Sequence, residues 1–183
     1  MEVLNPKTAY VMTSLLQTVI DRGTAATSRS NGFYLPAAGK TGTTDEFTDA
    51  WFAGFTPQIV ATVWVGFDDP RYSLGKGQAG SVAALPAWTE FMKGLQDAGL
   101  ITNEGFHAPE GIVRAKICAD SKLLATPYCP KILNEGQDEV FIAGTEPTEY
   151  DLTYWSVGAT CHVATVISSE ARFLPHSLSL VVS

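Results

Sequence analysis

Six residues constrain this chain more than any others: Gly39-Lys40-Thr41-Gly42-Thr43-Thr44. They combine one cation, three hydroxyls and two glycines, and the apolar approach Tyr34-Leu35-Pro36-Ala37-Ala38 precedes them. Two further strand-like runs follow, Ala50–Thr56 and Ile59–Phe67, separated by short turns. Short connections between extended runs favour antiparallel neighbours. A lysine and threonines on such a strand can hold an anion, and Gly42 has no Cβ to keep a ligand from the backbone. The chemistry expected is binding of an extended, anionic ligand along a sheet edge.

Two other readings of the same stretch compete. Gly39-Lys40-Thr41 mimics the end of a phosphate-binding loop, but that motif needs a glycine five residues before its Gly-Lys pair. Position 34 is Tyr34, Gly32 is out of register, and no helix pattern follows. The plainer alternative is a Gly/Thr-rich turn carrying a solvated lysine.

The rest of the chain supplies elements to pack against these strands. Asn5 can cap a helix whose first position suits Pro6. Val11/Met12, Leu15/Leu16 and Val19/Ile20 recur at helical spacing, and Gly23 is the expected stop. Residues 24–33 read as a polar linker. The β-branched and aromatic run Ile59–Val65 suggests an inner strand, ended by Asp68-Asp69-Pro70. A Gly-rich loop spans 70–82, and a second helix is expected over Ala83–Ala98, stopped by Gly99. These elements predict a layered α+β fold, an antiparallel sheet packed by helices. Short extended runs, Gly111–Cys118 and Val140–Ile142, follow between turns.

Composition enters as an exclusion. A length of 183 residues with 45% hydrophobic residues and mean hydropathy +0.08 suits a globular chain. A net charge of −7 argues against nucleic acid as the main partner. Met1-Glu2 leads into no apolar run of signal-peptide or membrane-span length. Beyond residue 150 only Asp151, Glu170 and Arg172 carry formal charge.

Several motifs in order carry a family likeness. Asp21-Arg22-Gly23-Thr24-Ala25 ends the first helix. Ala37–Thr44 follows, then Asp49-Ala50-Trp51-Phe52-Ala53-Gly54-Phe55-Thr56-Pro57, Val63-Trp64-Val65-Gly66-Phe67-Asp68 and Ala83-Ala84-Leu85-Pro86-Ala87-Trp88. Over residues 2–150 this arrangement resembles the C-terminal part of the transpeptidase domain of class A (bifunctional) penicillin-binding proteins. The resemblance implies a partial serine β-lactamase/transpeptidase-like fold. It divides the chain into a transpeptidase portion, 1–100, a C-terminal extension with short strands, 101–150, and a divergent tail, 151–183. The tail is either divergence or the product of a shifted or spliced reading frame.

The resemblance also assigns roles. Lys40, Thr41, Gly42, Thr43 and Thr44 would bind the carboxylate of a peptidoglycan stem peptide or a β-lactam. The Thr43 N–H would be half of an oxyanion hole. The strand edge would pair with the ligand backbone. An extracytoplasmic setting follows, with a membrane anchor carried elsewhere in the parent protein. In that setting Cys118 and Cys129 can form a disulfide; the alternative is two unpaired small hydrophobes. No metal and no cofactor are expected, because a zinc set of Cys118, Cys129, Cys161 and His162 needs adjacent residues to share one ion.

Acyl transfer in this family needs a serine with a lysine one helical turn later, and a Ser-x-Asn element. Neither precedes Lys40. The single Ser-x-x-Lys, Ser73-Leu74-Gly75-Lys76, lies in the Gly-rich loop and reads as a chance match. Two function classes follow. One is the C-terminal portion of a D,D-transpeptidase that cross-links cell wall and is inactive by itself. The other is a non-catalytic binding module or remnant of that fold. A chain without its catalytic half would also leave apolar surface uncovered.

Overall fold

The computed structural model describes residues 3–153. The fold is α+β, as the sequence predicts, with two antiparallel sheets. Helix α1, Pro6–Asp21, starts as expected: Asn5 Oδ1 accepts from the Lys7 N–H at 2.9 Å, and Pro6 takes a position that needs no N–H. At its far end the Gly23 N–H reaches the Thr18 and Val19 carbonyls. A Cβ at Gly23 would lie 2.7 Å from Val19 Cα, so only glycine fits this turn.

Residues 24–33 are not the loose linker that their polarity suggests. They contain a helical turn, α2 (Thr27–Ser30), and Ala25, Ser28 and Phe33 are fully buried. The Ser28 hydroxyl is satisfied inside, donating to the Ala25 carbonyl at 2.8 Å. Arg29 braces the turn by donating to Asp21 and to the Phe33 and Leu35 carbonyls.

Strands β1 (Ala38–Thr43), β2 (Asp49–Phe55) and β3 (Val60–Gly66) form a meander in the order β1-β2-β3. The register pairs Gly42 with Trp51 and Lys40 with Ala53, then Trp51 with Trp64 and Ala53 with Thr62. One face carries Thr41 at the edge and Phe52 and Val63 against the core. The opposite face presents Lys40, Trp51, Thr62 and Trp64, as the two-residue period requires. β2 is therefore the central strand. The inner position expected of β3 is not observed: among the described strands it is an edge, with alternate residues exposed, Val60 and Trp64 among them. Its apolar residues reflect half-burial on one face rather than burial on two.

The helix expected after the Gly-rich loop spans Leu85–Asp97 (α4), preceded by a short turn, α3 (Gly80–Ala83). Leu85, Trp88, Thr89 and Met92 form its buried face. Trp88 meets Phe33 and Phe52 edge to face, with ring centroids 5.4 and 5.0 Å away. Ile20, Ala50 and Ile101 complete the core. Farther on, β4 (Ile112–Ala115) and β5 (Glu139–Ile142) pair antiparallel and lean on α1, where Arg114 Nη2 donates to Tyr10 Oη at 2.8 Å. The 151–183 tail lies almost wholly outside the described residues, as do Cys161 and His162.

Gly80 is the tightest of these joints. A Cβ there would press on the carbonyl oxygens of Trp51 and Gly42, the latter at 2.5 Å, and neither belongs to a side chain that could swing away. Gly80→Ala is expected to lower unfolding free energy by about 1–3 kcal/mol, the usual range for overpacking. Gly94→Ala, where a Cβ meets open space within α4, should raise it by roughly 0.5–1 kcal/mol. Urea unfolding of the two variants checks the opposite signs.

Candidate functional site

β1 is the other edge of the sheet, so one side of it has no strand partner among the described residues. Antiparallel pairs alternate between hydrogen-bonded and non-hydrogen-bonded residues. The Thr44 N–H donates to the Asp49 carbonyl at 3.1 Å, which sets the phase. Gly42 and Lys40, two and four residues back, direct their backbone groups to β2. Thr41 and Thr43 direct theirs to the open edge. The open edge thus offers the N–H and C=O of two alternate residues, the spacing on which an extended chain can pair.

Side chains crowd the same edge. Lys40 is exposed; its Nζ curls over the strand and donates to the Thr41 carbonyl at 2.9 Å, with Thr41 Oγ1 at 3.4 Å. The ammonium therefore sits beside backbone that faces outward. Thr41 Oγ1 also lies 3.0 Å from Thr24 Oγ1, a hydroxyl brought in from the turn after α1. Sequence reading left Thr24 in a linker. Its one signal in the sequence is its place in the Asp21–Ala25 motif that ends the first helix.

The remaining residues of the motif also make contacts within the fold. Thr43 Oγ1 accepts from the Gly80 N–H at 3.0 Å, tying β1 to the start of α3. Its own O–H remains able to donate. Thr44 Oγ1 accepts from the Asp49 N–H at 2.7 Å and lies 2.7 Å from Thr48 Oγ1, closing the turn between β1 and β2. Gly42 is dictated by its neighbour as well as by any ligand: a Cβ there would sit 3.2 Å from Trp51 Cβ.

At the far end of the open face, Asp49 receives the Trp64 indole N–H at 2.8 Å and the Thr48 hydroxyl at 3.0 Å. These bonds, Trp64's first, hold its carboxyl below the ordinary carboxylate range. Trp51 and Trp64 lie side by side across the strands, ring centroids 6.1 Å apart, both partly exposed.

Ser73 is placed differently from a nucleophile. Its Oγ donates to the Glu46 carbonyl at 2.6 Å and accepts from the Gly75 N–H at 3.0 Å, in a loop outside any helix. In the extension, Cys118 and Cys129 are joined, with sulfurs 2.05 Å and Cα atoms 5.9 Å apart. The buried Asp151 carboxylate lies close to both sulfurs. It accepts from the Ser121 hydroxyl and the Thr153 N–H, both at 2.9 Å. Hydrogen bonds from the Thr153 side chain and N–H, and then from Ser121, lower its pKa. No helix among the described residues is long and apolar enough to cross a membrane.

Removing the Trp64 donor provides a direct check on the Asp49 cluster. A carboxyl whose folded pKa is depressed adds stability above its unfolded pKa. That contribution is lost as pH falls through the folded value. Trp64→Phe is expected to move the Asp49 pKa up toward the ordinary carboxylate value, with part of the depression retained through Thr48. Carboxyl-carbon NMR titration of the two forms reads this; an unmoved Asp49 would show that the indole bond is not the main cause.

Comparison with known proteins shows what the chain as a whole is similar to. Residues 108–156 match the family described as penicillin-binding protein 1A, C-terminal domain. Penicillin-binding protein 1A of Aquifex aeolicus (strain VF5) is 42% identical over 146 residues, 80% of this chain and 19% of that protein. The protein of the same name from Pseudomonas aeruginosa is 40% identical over 133 residues, 70% of this chain and 15% of that one. The crystal structure of penicillin-binding protein 1A from Haemophilus influenzae superposes with a TM-score of 0.69 at 36% identity. It covers 82% of this chain and 22% of that one. The chain thus spans about a fifth or less of the length of these relatives. The chain is thus similar over most of its length to part of penicillin-binding protein 1A, and its residues 108–156 match the C-terminal domain family of that protein.

Proposed function

We propose that this chain supplies the carboxylate-binding strand of a peptidoglycan D,D-transpeptidase domain. The observation that carries the reading is the open edge of β1, along which lie Lys40 Nζ, the Thr41 hydroxyl and the outward N–H of Thr43. Lys40 supplies the charge for the terminal carboxylate of a stem peptide, or the carboxylate of a β-lactam, and Thr41 donates to it. Charge-assisted hydrogen bonds are the stronger class. The Thr43 N–H serves as one donor to the oxyanion formed when a serine attacks the scissile carbonyl. The peptide lies along the edge as an added strand. Gly42 keeps the cross-strand Trp51 seated, and Thr44 shapes the turn beyond. In this reading residues 1–100 contribute to the transpeptidase domain and 101–150 form its extension. The site works outside the cytoplasm, where the Cys118–Cys129 link persists.

A second reading, a binding module that does not acylate, draws on Ser73. Its hydroxyl is bonded to backbone on both sides and stands in no helix with Lys76. A clamp and an oxyanion donor orient a ligand but do not attack it.

Two experiments test these statements. Incubation of this chain with excess penicillin is expected to leave its intact mass unchanged. A stoichiometric increase mapping to Ser73 would show a working nucleophile there. In a domain that includes the serine nucleophile, Lys40→Ala should slow penicillin acylation by about ten- to a hundredfold, the loss expected for a hydrogen bond to a charged group. Unchanged acylation kinetics would make Lys40 a solvated surface lysine.

A further inference from the structure

The segment joining α1 to β1 is built more firmly than a connection requires. Arg29 donates through Nε and Nη2 to Asp21 Oδ1, at 3.0 and 2.7 Å, and through Nη1 to the carbonyls of Phe33 and Leu35, each at 2.9 Å. One guanidinium therefore ties the end of the helix to the approach of the strand. Inside that brace, Gly23 is bonded back to Thr18 and Val19, and the Ala25 N–H to the Val19 carbonyl. Ala25 is fully buried. Thr24 lies between these two pinned residues, with its own side chain exposed and its hydroxyl 3.0 Å from that of Thr41.

The donor count at Thr41 gives that contact a consequence. An ammonium has only protons to offer, so Thr41 Oγ1 can only accept from Lys40 Nζ. A hydroxyl has one proton and two lone pairs. When Thr24 donates to Thr41, both Thr41 lone pairs are filled and its single proton must turn elsewhere. That proton is then available to a ligand beside Lys40 Nζ, which lies against the Thr41 carbonyl. The incoming bond from Thr24 also polarises the Thr41 O–H and strengthens it as a donor.

We infer that Thr24 is a positioning residue of the anion site: its hydroxyl donates to Thr41, so that the Thr41 proton is held toward a ligand carboxylate beside Lys40. This rests on the carboxylate-binding reading of β1 and adds a residue from a different element. The clamp is then Lys40, Thr41 and Thr24, drawn from a strand and a helix-terminal turn. Thr43 Oγ1 and Thr44 Oγ1 hold the fold around it. A terminal carboxylate benefits from the arrangement, whereas a neutral carboxamide gains little from a proton aimed beside an ammonium.

The test uses the full chain, labelled with nitrogen-15 and titrated with N-acetyl-D-alanyl-D-alanine and with its C-terminal amide. The wild type should show shifts at the Gly42 and Thr43 amides with a clear preference for the carboxylate form. Thr24→Val keeps the side-chain volume and removes the proton. It should weaken carboxylate binding roughly 3- to 10-fold, the range of one net hydrogen bond, while leaving amide binding nearly unchanged. Thr24→Ser should restore the wild-type preference. An unchanged preference in Thr24→Val, with Lys40→Ala abolishing it, would overturn the inference and leave the reading of β1 standing. Equal loss of both ligands in Thr24→Val would also overturn it, since that is what a structural role produces. No carboxylate preference in the wild type, or full preference in Lys40→Ala, would overturn the reading of β1 and Thr24's role with it.

Discussion

The packing of Trp88 is the contact on which the other pieces depend. Its ring reaches from α4 to the middle of the sheet, where Gly54 leaves the necessary space: a Cβ there would lie 2.7 Å from both Trp88 and Phe52. Phe52 supplies the sheet side of the contact and Phe33 the side from the α1–β1 segment. One indole thus joins a helix, a strand and a connection that are distant in sequence. Burying so large an apolar surface is favourable enough to offset the Trp88 Nε1 donor, which finds no acceptor among the described residues. Placing Phe33 also places the chain that leads into Ala37 and Ala38. The open edge of β1 begins at that point.

The sheet has two unlike faces, and the difference organises the surface. Core-facing residues such as Ala50, Phe52 and Val63 are covered by helices, α1 and α3 toward β1 and α4 over β2 and β3. The opposite face carries Trp51, Trp64 and Val60 partly or largely exposed, held by cross-strand contact and by the Trp64–Asp49 bond. Lys40 rises from that face, yet its ammonium bends around the edge to meet Thr41, whose side chain belongs to the other face. An anion site at a strand edge can therefore draw on both faces of the sheet. Alternation makes that impossible for residues on a central strand.

Much of this was legible in the residues. Capping by Asn5, the position of Pro6, the three strands with their short turns and the buried face of α4 all follow from local patterns with a mechanism behind each. The misreadings share a different cause. Residues 24–33 are polar in composition, but Ser28 buries its hydroxyl by bonding the Ala25 carbonyl, and Arg29 spends its charge on Asp21 and two carbonyls. Composition counts such groups as solvent-facing because it cannot see partners eight residues away. β3 failed in the opposite direction. Its apolar and β-branched residues announce burial, but the number of strands beside it is a property of the whole sheet and is not written in the strand. Family likeness identified Lys40 and its neighbours, while the contact between Thr24 and Thr41 required the turn after α1 to be seen folded.

Hydroxyls of one short motif take different partners according to the phase of the strand. Thr44 lies past the last β1 residue, where the chain must turn, and its Oγ1 accepts the Asp49 N–H that the turn would otherwise leave without a partner. Thr43 meets the start of α3 and takes up the Gly80 N–H, a donor at a helix beginning with no intrahelical partner. Both are obligations of buried or half-buried backbone, and they would call for hydroxyls whether or not a ligand ever bound. Thr41 has no such obligation to discharge. Its backbone groups face the open edge, and among the described residues its hydroxyl bonds with Lys40 Nζ and another hydroxyl. A threonine run that looks uniform in sequence is therefore graded in the fold. The member least used by the structure is the one left beside the cation.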